Sequence, residues 1–386
     1  MSIKTFVRIA DPNGAPLKTI ASGFILDYLM NCAPGAVGVL ELTVSPGVDP
    51  SFLFIDGRIG VYRSIDGGIP YLDNGCIWLI ETFEYTSQLT FIRAFHMNTI
   101  TTRRYILYAN GSTFANKSAA PADDMIKTYW KENAGASISI NREGTQTLAN
   151  LSAIIQTDPN LGLGPSIVMQ AAHDPLNSVL TRICDASNTA GTYLTFEIVS
   201  DGGTGFFFRT FVGARGLDRR YGSSNPVILE EARGNLENAR IVVDYHSRVT
   251  AAVALGAAQG SDRLVASTLD TAGLALSPFS RVEKVVNVSN TTSQAAVQDN
   301  ADALVRNSRP QISVEGLLVD TPKCTRGVHY DLGDILTVRA PRSGALLDVR
   351  LDIVHEHIDQ SGEGRGQDLT SHQVAHRYTT GGLRSV

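Results

Sequence analysis

Residues 291–340 read TTSQAAVQDNADALVRNSRPQISVEGLLVDTPKCTRGVHYDLGDILTVRA, and the secondary structure of this stretch can be predicted from its pattern. Alanine, valine and leucine recur in it at helical spacing after Ser293, which is a favourable N-cap residue. Pro310 cannot continue a helix, because it lacks the backbone N–H and clashes with the preceding turn. The sequence therefore predicts a helix that begins after Ser293 and ends near Arg309.

The rest of the stretch predicts two strands. Apolar residues alternate with polar or small ones from Ile312 to Val319, and a loop containing Pro322 ends this pattern. The turn Asp331–Asp334 follows and leads into a second short apolar run, Ile335–Arg339. The chain thus passes from helix to strand, loop and strand.

Composition bounds the class of protein. The 386 residues are 43% hydrophobic, which is long and apolar enough for two or more packed domains. Only 18% are charged and 35 are glycine, while clusters of Val, Ile, Thr and Phe are frequent. These features predict a mainly β protein with some helices. The net charge of -5 argues against nucleic-acid binding along the whole chain, since phosphate binding needs concentrated positive charge.

Targeting signals and cysteine motifs do not stand out. The N-terminus MSIKTFVRIADPNG has no apolar core before a cleavage site, and no stretch approaches a membrane span, so we expect a soluble protein made in the cytoplasm. Cys32, Cys76, Cys184 and Cys324 are scattered and form no CxxC pair. They predict four buried or idle thiols rather than a zinc ribbon or a disulfide framework.

Residues 1–103 predict a first compact antiparallel β-barrel or sandwich. Runs of strand length are separated by turns such as Asp11–Gly14 and Asp56–Gly57, where glycine supplies the positive φ of a tight connection. The regular spacing of these turns is typical of an all-β domain.

Residues 104–290 predict a mixed α+β peripheral insert. One helix is expected after Pro121 and another after Pro175, each with an apolar stripe. The glycine run 201–205 is interpreted as a hairpin tip, because neither a helix nor a P-loop lysine follows it as a phosphate cradle requires. Mixed charge over 213–240 indicates a solvated loop or a subunit contact.

An internal repeat links the two ends of the chain. Three segments recur in the same order: Gly57–Arg63 and Gly333–Arg339, Cys76–Thr86 and Leu347–Ile358, and Leu89–His96 and Leu369–His376. They predict two related antiparallel β-barrels flanking the insert, with residues 291–386 forming a helix and the second barrel. Whether residues 227–290 also contribute strands to that barrel stays open. Three such chains in a ring would present six similar units.

The sequence resembles phage baseplate and tail-hub proteins, which include the hubs of contractile tails and the N-terminal hub region of siphophage tail-associated proteins. The resemblance rests on five segments: Tyr330–Val338, Asn235–Arg240, Gly260–Arg263, Phe24–Asp27 and Ala122–Met125.

The resemblance implies a homotrimer at the virion tail tip, with two tube-type barrels per subunit forming a pseudo-hexameric ring. Such a ring joins a hexameric tail tube or distal tail protein to trimeric tip, spike or fibre proteins, and DNA passes through its lumen without specific binding. Acidic residues facing the channel would repel phosphates within about a Debye length. The resemblance implies no enzyme activity and no cofactor.

A tail-associated cell-wall hydrolase or glycan-binding protein is the alternative. His355, His357 and Asp359 alternate along a predicted strand as metal ligands would, with His372 and His376 downstream, but Gln360 stands where a metallo-hydrolase motif needs histidine. Three acids could form a glycosidase pair: Asp174, Glu197 and Asp201. Neither set matches a catalytic motif, so the prediction is a structural protein with no catalytic, cofactor or metal residue.

Overall fold

The computed structural model describes residues 2–45, 47–107, 115–136, 150–171, 173–288, 293–308, 311–360 and 371–375. The protein is mainly β, as its composition predicts, and its principal element is one curled antiparallel half-barrel sheet of 11 strands. In spatial order these strands are β14 (Leu236–Asp244), β18 (Gln311–Leu318), β22 (Ser371–Ala375), β21 (Ile353–Asp359), β3 (Phe24–Asn31), β4 (Val39–Val44), β7 (Thr90–His96), β6 (Tyr71–Tyr85), β5 (Arg58–Ile65), β1 (Ile3–Ala10) and β2 (Pro16–Ile20).

Four small sheets, five α-helices and three single-turn 3-10 helices complete the described elements. The sheets are β8 (Ala115–Pro121) with β10 (Ser166–Ala171); β9 (Ile155–Thr157), β11 (Leu194–Ser200) and β12 (Phe206–Val212); β13 (Ile228–Leu229), β19 (Ile335–Arg339) and β20 (Leu346–Arg350); and β15 (Ala251–Leu255), β16 (Val265–Leu269) and β17 (Glu283–Asn287). The helices are α1 (Thr99–Thr102), α2 (Ala122–Asn133), α3 (Leu176–Thr189), α4 (Thr271–Leu274) and α5 (Gln294–Asn307). No helix in the described ranges is both long and apolar enough to cross a membrane.

The chain divides into two compact units. The first comprises Met1–Ala239 and Glu315–Ala375, and the second includes Arg240–Val314. The division into 1–103, 104–290 and 291–386 remains a prediction, because it concerns related barrels rather than the density of contacts.

The insert forms its two helices where the sequence places them. Both α2 and α3 begin directly after a proline, whose fixed φ suits the start of a helix, and each buries one apolar stripe. The two stripes meet over the β11–β12 hairpin, where Trp130 stacks on Phe208 with ring centroids 4.4 Å apart. Helix packing on a sheet therefore gives this region a core of its own.

The glycine run of the insert is a hairpin tip, as predicted. The Asp201 carboxylate accepts hydrogen bonds from the backbone N–H groups of Gly203, at 2.7 Å, and Gly205, at 3.2 Å. Gly202 has a φ of 88°, in the left-handed region that favours glycine. The run therefore serves the turn, which leaves no reason to interpret it as a phosphate site.

The opening stretch also folds largely as predicted. Helix α5 ends its described course at Asn307, and it packs on β15, β16 and β17 through Val297, Ala301 and Val305. Ser293 has the extended backbone of an N-cap but makes no capping hydrogen bond with its side chain. Strand β19 has the predicted bounds, whereas Arg309 and Pro310 lie outside the described residues.

Two four-stranded parts of the large sheet have similar connections. We call β3, β4, β7 and the second half of β6 the first half-sheet, and β14, β18, β22 and β21 the second half-sheet. Each half-sheet is preceded along the chain by a short strand pair and then a kink in the backbone. The first half of β6 pairs with β5 before its kink, and β20 pairs with β19 before β21 begins. The kink carries an acid in each case, Glu81 and Asp352.

The backbone hydrogen bonds correct the predicted alignment of the repeat. Ile80 bonds with Asp56 and Gly57, and Leu351 bonds with Gly333 and Asp334 in the same pattern. Gly57 therefore corresponds to Asp334, not to Gly333. A shift of one residue exchanges the two faces of a strand, so the sequence alignment had paired side chains on opposite faces.

Burial agrees with the corrected alignment. Ile59 and Val61, both at most 1% exposed, match Leu336 and Val338, which are buried to the same degree. The sequence alignment matched Arg63 with Arg339, but in the corrected alignment Arg63 corresponds to Ala340. The matched residues Leu369 and His376 lie outside the described residues, and the two-barrel arrangement remains a prediction.

Candidate functional site

Strands β3 and β21 connect the two half-sheets, and we call this strand pair the joint. Its register places Tyr28 opposite Glu356 and Asp27 opposite His357. Because successive side chains of a strand point to opposite faces, the first pair is buried and the second is exposed. The joint therefore carries a polar pair on each face, although β4 beside it buries only Leu40, Leu42 and Val44 among its described side chains.

The buried face of the joint is built around Glu356. Its carboxylate accepts hydrogen bonds from Nε and Nη2 of Arg326, and Nη2 also bonds Asp73 at 2.9 Å. The hydroxyl of Tyr28 donates to Asp73 at 2.7 Å and contacts the carboxylate of Glu356. Tyr28 and Asp73 come from the first half of the sequence, whereas Arg326 and Glu356 come from the last quarter, so the cluster ties distant segments together.

A second guanidinium completes the cluster. Arg63 donates from Nη1 to Glu356 at 3.2 Å and from Nη2 to Asp320 at 2.8 Å. Asp320 also accepts from the backbone N–H of Arg326, which orients the loop that carries this arginine. Side-chain exposure is 1% for Arg63 and 0% for both Arg326 and Glu356. Two guanidinium groups and three carboxylates are thus held together almost without water.

The pKa values of these groups follow from burial and pairing. Burial, followed by the charges of Asp73 and Glu356, raises the pKa of the Tyr28 hydroxyl well above its usual range. Burial opposes the charge of Arg326, but Asp73 and Glu356 outweigh it and raise the pKa of this guanidinium. Tyr28 therefore remains a neutral donor while Arg326 remains a cation.

A buried charge cluster defines geometry more than it adds net stability. Removing charges from water costs several kcal/mol per ion, and close pairing returns a similar amount, so the intact network is roughly neutral. Removing one member is costly because its partner is then left buried and uncompensated. The joint is consequently a specific connection that tolerates one arrangement of β3 against β21.

The exposed face carries a polar row across the sheet. His357, Asp27, Glu41 and Arg93 lie directly opposite one another on β21, β3, β4 and β7. Asp27 bridges both histidines of β21: its carboxylate lies 2.6 Å from Nε2 of His355 and 3.3 Å from Nδ1 of His357. Arg93 and Glu41 are 3.6 Å apart.

The histidines of β21 share a face, as the sequence analysis expected. Asp359 lies at the same side of the strand, next to His357, while His376 is outside the described residues. No group of three or more His, Cys, Asp or Glu side chains in the described part of the protein is placed to hold a metal ion. The acid that the histidines contact is Asp27, which spacing within β21 could not indicate.

The acids considered as a glycosidase pair each have a structural partner. Asp174 pairs with Arg182 at 3.0 Å, and Asp201 holds the hairpin tip. Glu197 is buried, and its two oxygens accept from Nε and Nη2 of Arg215 at 2.9 and 3.2 Å. Arg215 was expected in a solvated loop or a subunit contact, but it is buried within the chain, where it binds Glu197 and the Leu332 carbonyl.

The four cysteines are buried free thiols, as predicted. Burial raises the pKa of each thiol, to about 11 for Cys324, so they remain protonated and poorly nucleophilic. His96 is also buried, beside Trp78, and desolvation lowers the pKa of its imidazole from 6.5 to about 4. It is neutral at physiological pH and has a packing role.

One family profile matches the sequence. Its description is siphovirus ReqiPepy6 Gp37-like protein, and the match spans residues 84–367, which include the insert and the strands β14, β18 and β21 of the second half-sheet but not β3 of the joint. No curated protein matches the sequence.

Solved structures of phage tail proteins share the fold over nearly their whole length. The tail protein from Neisseria meningitidis MC58 is 15% identical, and the match covers 98% of this chain and 97% of that protein with a TM-score of 0.61. The 43 kDa tail protein of prophage MuSo2 from Shewanella oneidensis is 10% identical, with coverage of 97% and 98% and a TM-score of 0.59. Prophage tail protein gp18 from Listeria monocytogenes EGD-e is 10% identical, with coverage of 97% and 94% and a TM-score of 0.53.

Proposed function

This chain belongs to the siphovirus ReqiPepy6 Gp37-like protein family, and we propose that it is a structural tail protein whose copies assemble three at a time into a ring at the tail tip. The ring is a hub: it adapts the hexameric tail tube or distal tail protein to trimeric tip, spike or fibre proteins. The observation that carries this proposal is the order of strands in the large sheet, where the two half-sheets are joined edge to edge through β3 and β21.

The joint supplies the pattern for contacts between copies. Within one copy, β21 at one edge of the second half-sheet pairs with β3 at the facing edge of the first half-sheet. The remaining ends are β14 in the second half-sheet and the second half of β6 in the first. If these ends meet between copies as β3 and β21 meet within one, three copies form a ring of six half-sheets, which matches a six-fold partner at one side and a three-fold partner at the other.

Both ends are suited to strand pairing. Among the described strands, none pairs with the outer edge of β6 over Glu81–Tyr85, and β14 is the first strand of its sheet. An unpaired edge presents backbone N–H and C=O groups that bind another strand readily. Apolar side chains near the β6 edge are exposed: Tyr85 by 57%, Leu89 by 45% and Ile55 by 73%. Burial of these groups in a subunit contact would favour assembly.

The exposed face of the half-sheets suits the wall of a DNA channel. On β21, β3, β4 and β7 its described charges are mainly acidic, with Asp27, Glu41 and Asp359 against Arg93. Acidic groups repel phosphate over about a Debye length, roughly 8 Å at physiological ionic strength, so DNA would slide past without being gripped. This charge balance is the reason we assign the exposed face to the lumen.

We propose no enzymatic role and no cofactor. The acids considered for glycoside cleavage are used in ion pairs and turns, and the histidines of β21 are bridged by Asp27. Cell-wall hydrolysis and glycan binding at the tail tip would then reside in partner proteins.

A single edge position tests the ring. In the β6–β7 hairpin, Thr86 donates its N–H to Leu89, so by the alternation of antiparallel pairs the N–H of Tyr85 points away from β7. Tyr85→Pro removes that edge N–H, whereas Tyr85→Thr removes the aromatic ring and retains the N–H.

Sedimentation and negative-stain imaging provide the measurement. We expect the parent and Tyr85→Thr to form three-fold rings of three 41.5 kDa chains, and Tyr85→Pro to remain monomeric with unchanged circular dichroism. A parent protein that stays monomeric under every assembly condition would contradict the hub proposal. A Tyr85→Pro variant that still forms rings would show that β6 is not the contact edge.

A further inference from the structure

A cleft in the first unit lies apart from the joint. One wall is the segment Pro226–Ile228, which includes β13, and the other is the turn Thr321–Cys324. The cavity between them has a volume of about 480 Å³, within the range of roughly 300–1,000 Å³ typical of ligand pockets. It is large enough for two or three amino-acid side chains.

The cleft is held open by buried hydrogen bonds. Asn235, only 4% exposed, donates from Nδ2 to the Ile228 carbonyl at 2.9 Å, and its backbone carbonyl accepts from Val319 at 3.1 Å. The opposite wall is a closed turn, because Thr321 and Cys324 exchange two backbone hydrogen bonds of 2.9 and 3.0 Å. Both walls are therefore fixed before any ligand arrives, which lowers the entropic cost of binding.

The interior of the cleft is apolar and uncharged. Val227 and Ile228 are buried against it, Pro226 and Pro322 line its mouth, and the Cys324 thiol is protonated. Asn235 directs its amide into hydrogen bonds within the wall. An aliphatic side chain would find apolar contacts there and leave no buried polar group without a partner.

The rim of the cleft is positively charged. Arg233 and Lys323 are the charged residues of its lining, and both are exposed. Arg233 uses Nε to bind Glu230 at 3.0 Å, but Glu230 also binds Arg339 at 3.0 Å, so one carboxylate serves two arginines. Within the described residues, Lys323 has no acidic partner. The rim thus keeps an excess of positive charge beside the apolar interior.

We propose that this cleft binds an apolar protein segment that carries a carboxylate, supplied by another component of the tail. The aliphatic side chain occupies the interior between Val227 and Pro322, and the carboxylate pairs with Lys323 and the Nη groups of Arg233. An acidic side chain beside a leucine in the partner segment offers this chemistry. Charge complementarity selects such a segment over a neutral apolar one.

Three capped peptides separate the possibilities, with binding followed by calorimetry on the assembled protein. Acetyl-Leu-Leu has a terminal carboxylate, acetyl-Leu-Asp-Leu-amide has the carboxylate of its aspartate, and acetyl-Leu-Leu-amide has none. We expect acetyl-Leu-Asp-Leu-amide to bind roughly tenfold or more tightly than the neutral peptide, because its carboxylate gains charge-assisted hydrogen bonds at the rim. Tighter binding of acetyl-Leu-Leu than of acetyl-Leu-Asp-Leu-amide would overturn the acidic side chain as the source and assign the carboxylate to a free C-terminus.

Substitutions at the rim test whether the peptide binds in the cleft. Arg233→Gln combined with Lys323→Gln should reduce affinity for the acidic peptide to that for the neutral one, and Arg281→Gln, an exposed arginine of the second unit, should leave affinity unchanged. Equal binding of acidic and neutral peptides, no binding of either acidic peptide, or full binding by the double variant would each overturn the proposal. Ring formation is scored separately by sedimentation, so a failed ring and a failed cleft are distinguished.

Discussion

The joint and the core of the insert bury side chains of opposite kinds. The insert core contains aromatic and aliphatic residues from α2, α3 and the β11–β12 hairpin, with Trp130 and Leu180 fully buried. The joint buries Arg63, Arg326 and Glu356 to the same degree. Both regions lie in the first unit and both are buried, so they differ in the chemistry of their side chains and not in exposure.

The two kinds of burial differ in how much sequence change they tolerate. Apolar packing is non-directional, so a core accepts other aliphatic residues of similar volume. A buried guanidinium must meet its carboxylates at fixed angles, so neither lysine nor an apolar residue replaces it well. The insert can therefore vary in sequence while the joint keeps the two half-sheets in one register.

The two tryptophans report on the two regions separately. Trp78 lies against Tyr28 at the joint, with ring centroids 5.9 Å apart, and Trp130 lies in the insert core. A Trp130→Phe background leaves only the joint visible by fluorescence, and a Trp78→Phe background leaves only the insert. Urea denaturation in both backgrounds is the measurement for the variants below.

The largest effect is expected for Arg326→Met. Methionine fills part of the space but leaves Asp73 and Glu356 buried without this counter-charge, so the free energy of unfolding should fall by about 3–5 kcal/mol in the Trp130→Phe background. Arg281→Met is the control, because its pair with Glu283 is exposed and should contribute less than about 1 kcal/mol. Equal effects of the two substitutions would refute an electrostatic joint.

A smaller loss is expected for Leu180→Ala in the insert. Removing the buried side chain leaves a cavity, so unfolding followed by Trp130 should become easier by about 2–5 kcal/mol. Leu180→Met conserves volume and should cost less than about 1.5 kcal/mol. If methionine were as harmful as alanine, the insert core would be as specific as the joint and the contrast would fail.

The smallest effect is the pH dependence from His96, a buried group without the paired charges of the joint. Its folded pKa of about 4 lies below the ordinary 6.5, so the unfolded protein binds the proton first as pH falls. The contribution of neutral His96 to the free energy of unfolding is therefore present above pH 6.5. It falls as the pH decreases from there toward 4, and the loss is about 2 kcal/mol at pH 5. His96→Gln should flatten this part of the stability curve. Parallel curves for parent and variant would exclude His96 as the cause.

Local pattern was sufficient for much of the fold. The prolines before α2 and α3, the glycine run after Asp201 and the apolar alternation of β19 each predicted their element, because the period and the turn chemistry are local. The predicted repeat rested on similarly local matches, and the backbone hydrogen bonds shift its alignment by one residue. Weak matches of Gly and Arg could not fix register, since register depends on which backbone groups bond.

The candidate site was much less accessible to sequence reasoning. His355 and His357 were singled out, but Asp27 is their partner and is far away in the sequence. Glu356 stands between two histidines and gave no sign of being the buried centre of a charge cluster. Alternation along β21 separates two faces without saying which one is covered.

Sequence pattern was enough to indicate a mainly β protein, two helices after prolines and four unpaired cysteines, because composition, period and turn residues act over a few positions. Tertiary structure alone decided that β3 pairs with β21, that Arg63 and Arg326 meet one carboxylate, and that a charged rim surrounds an apolar cleft. Those outcomes depend on burial and on contacts between segments far apart in the sequence, and the energy of a buried charge is set by its neighbours in space.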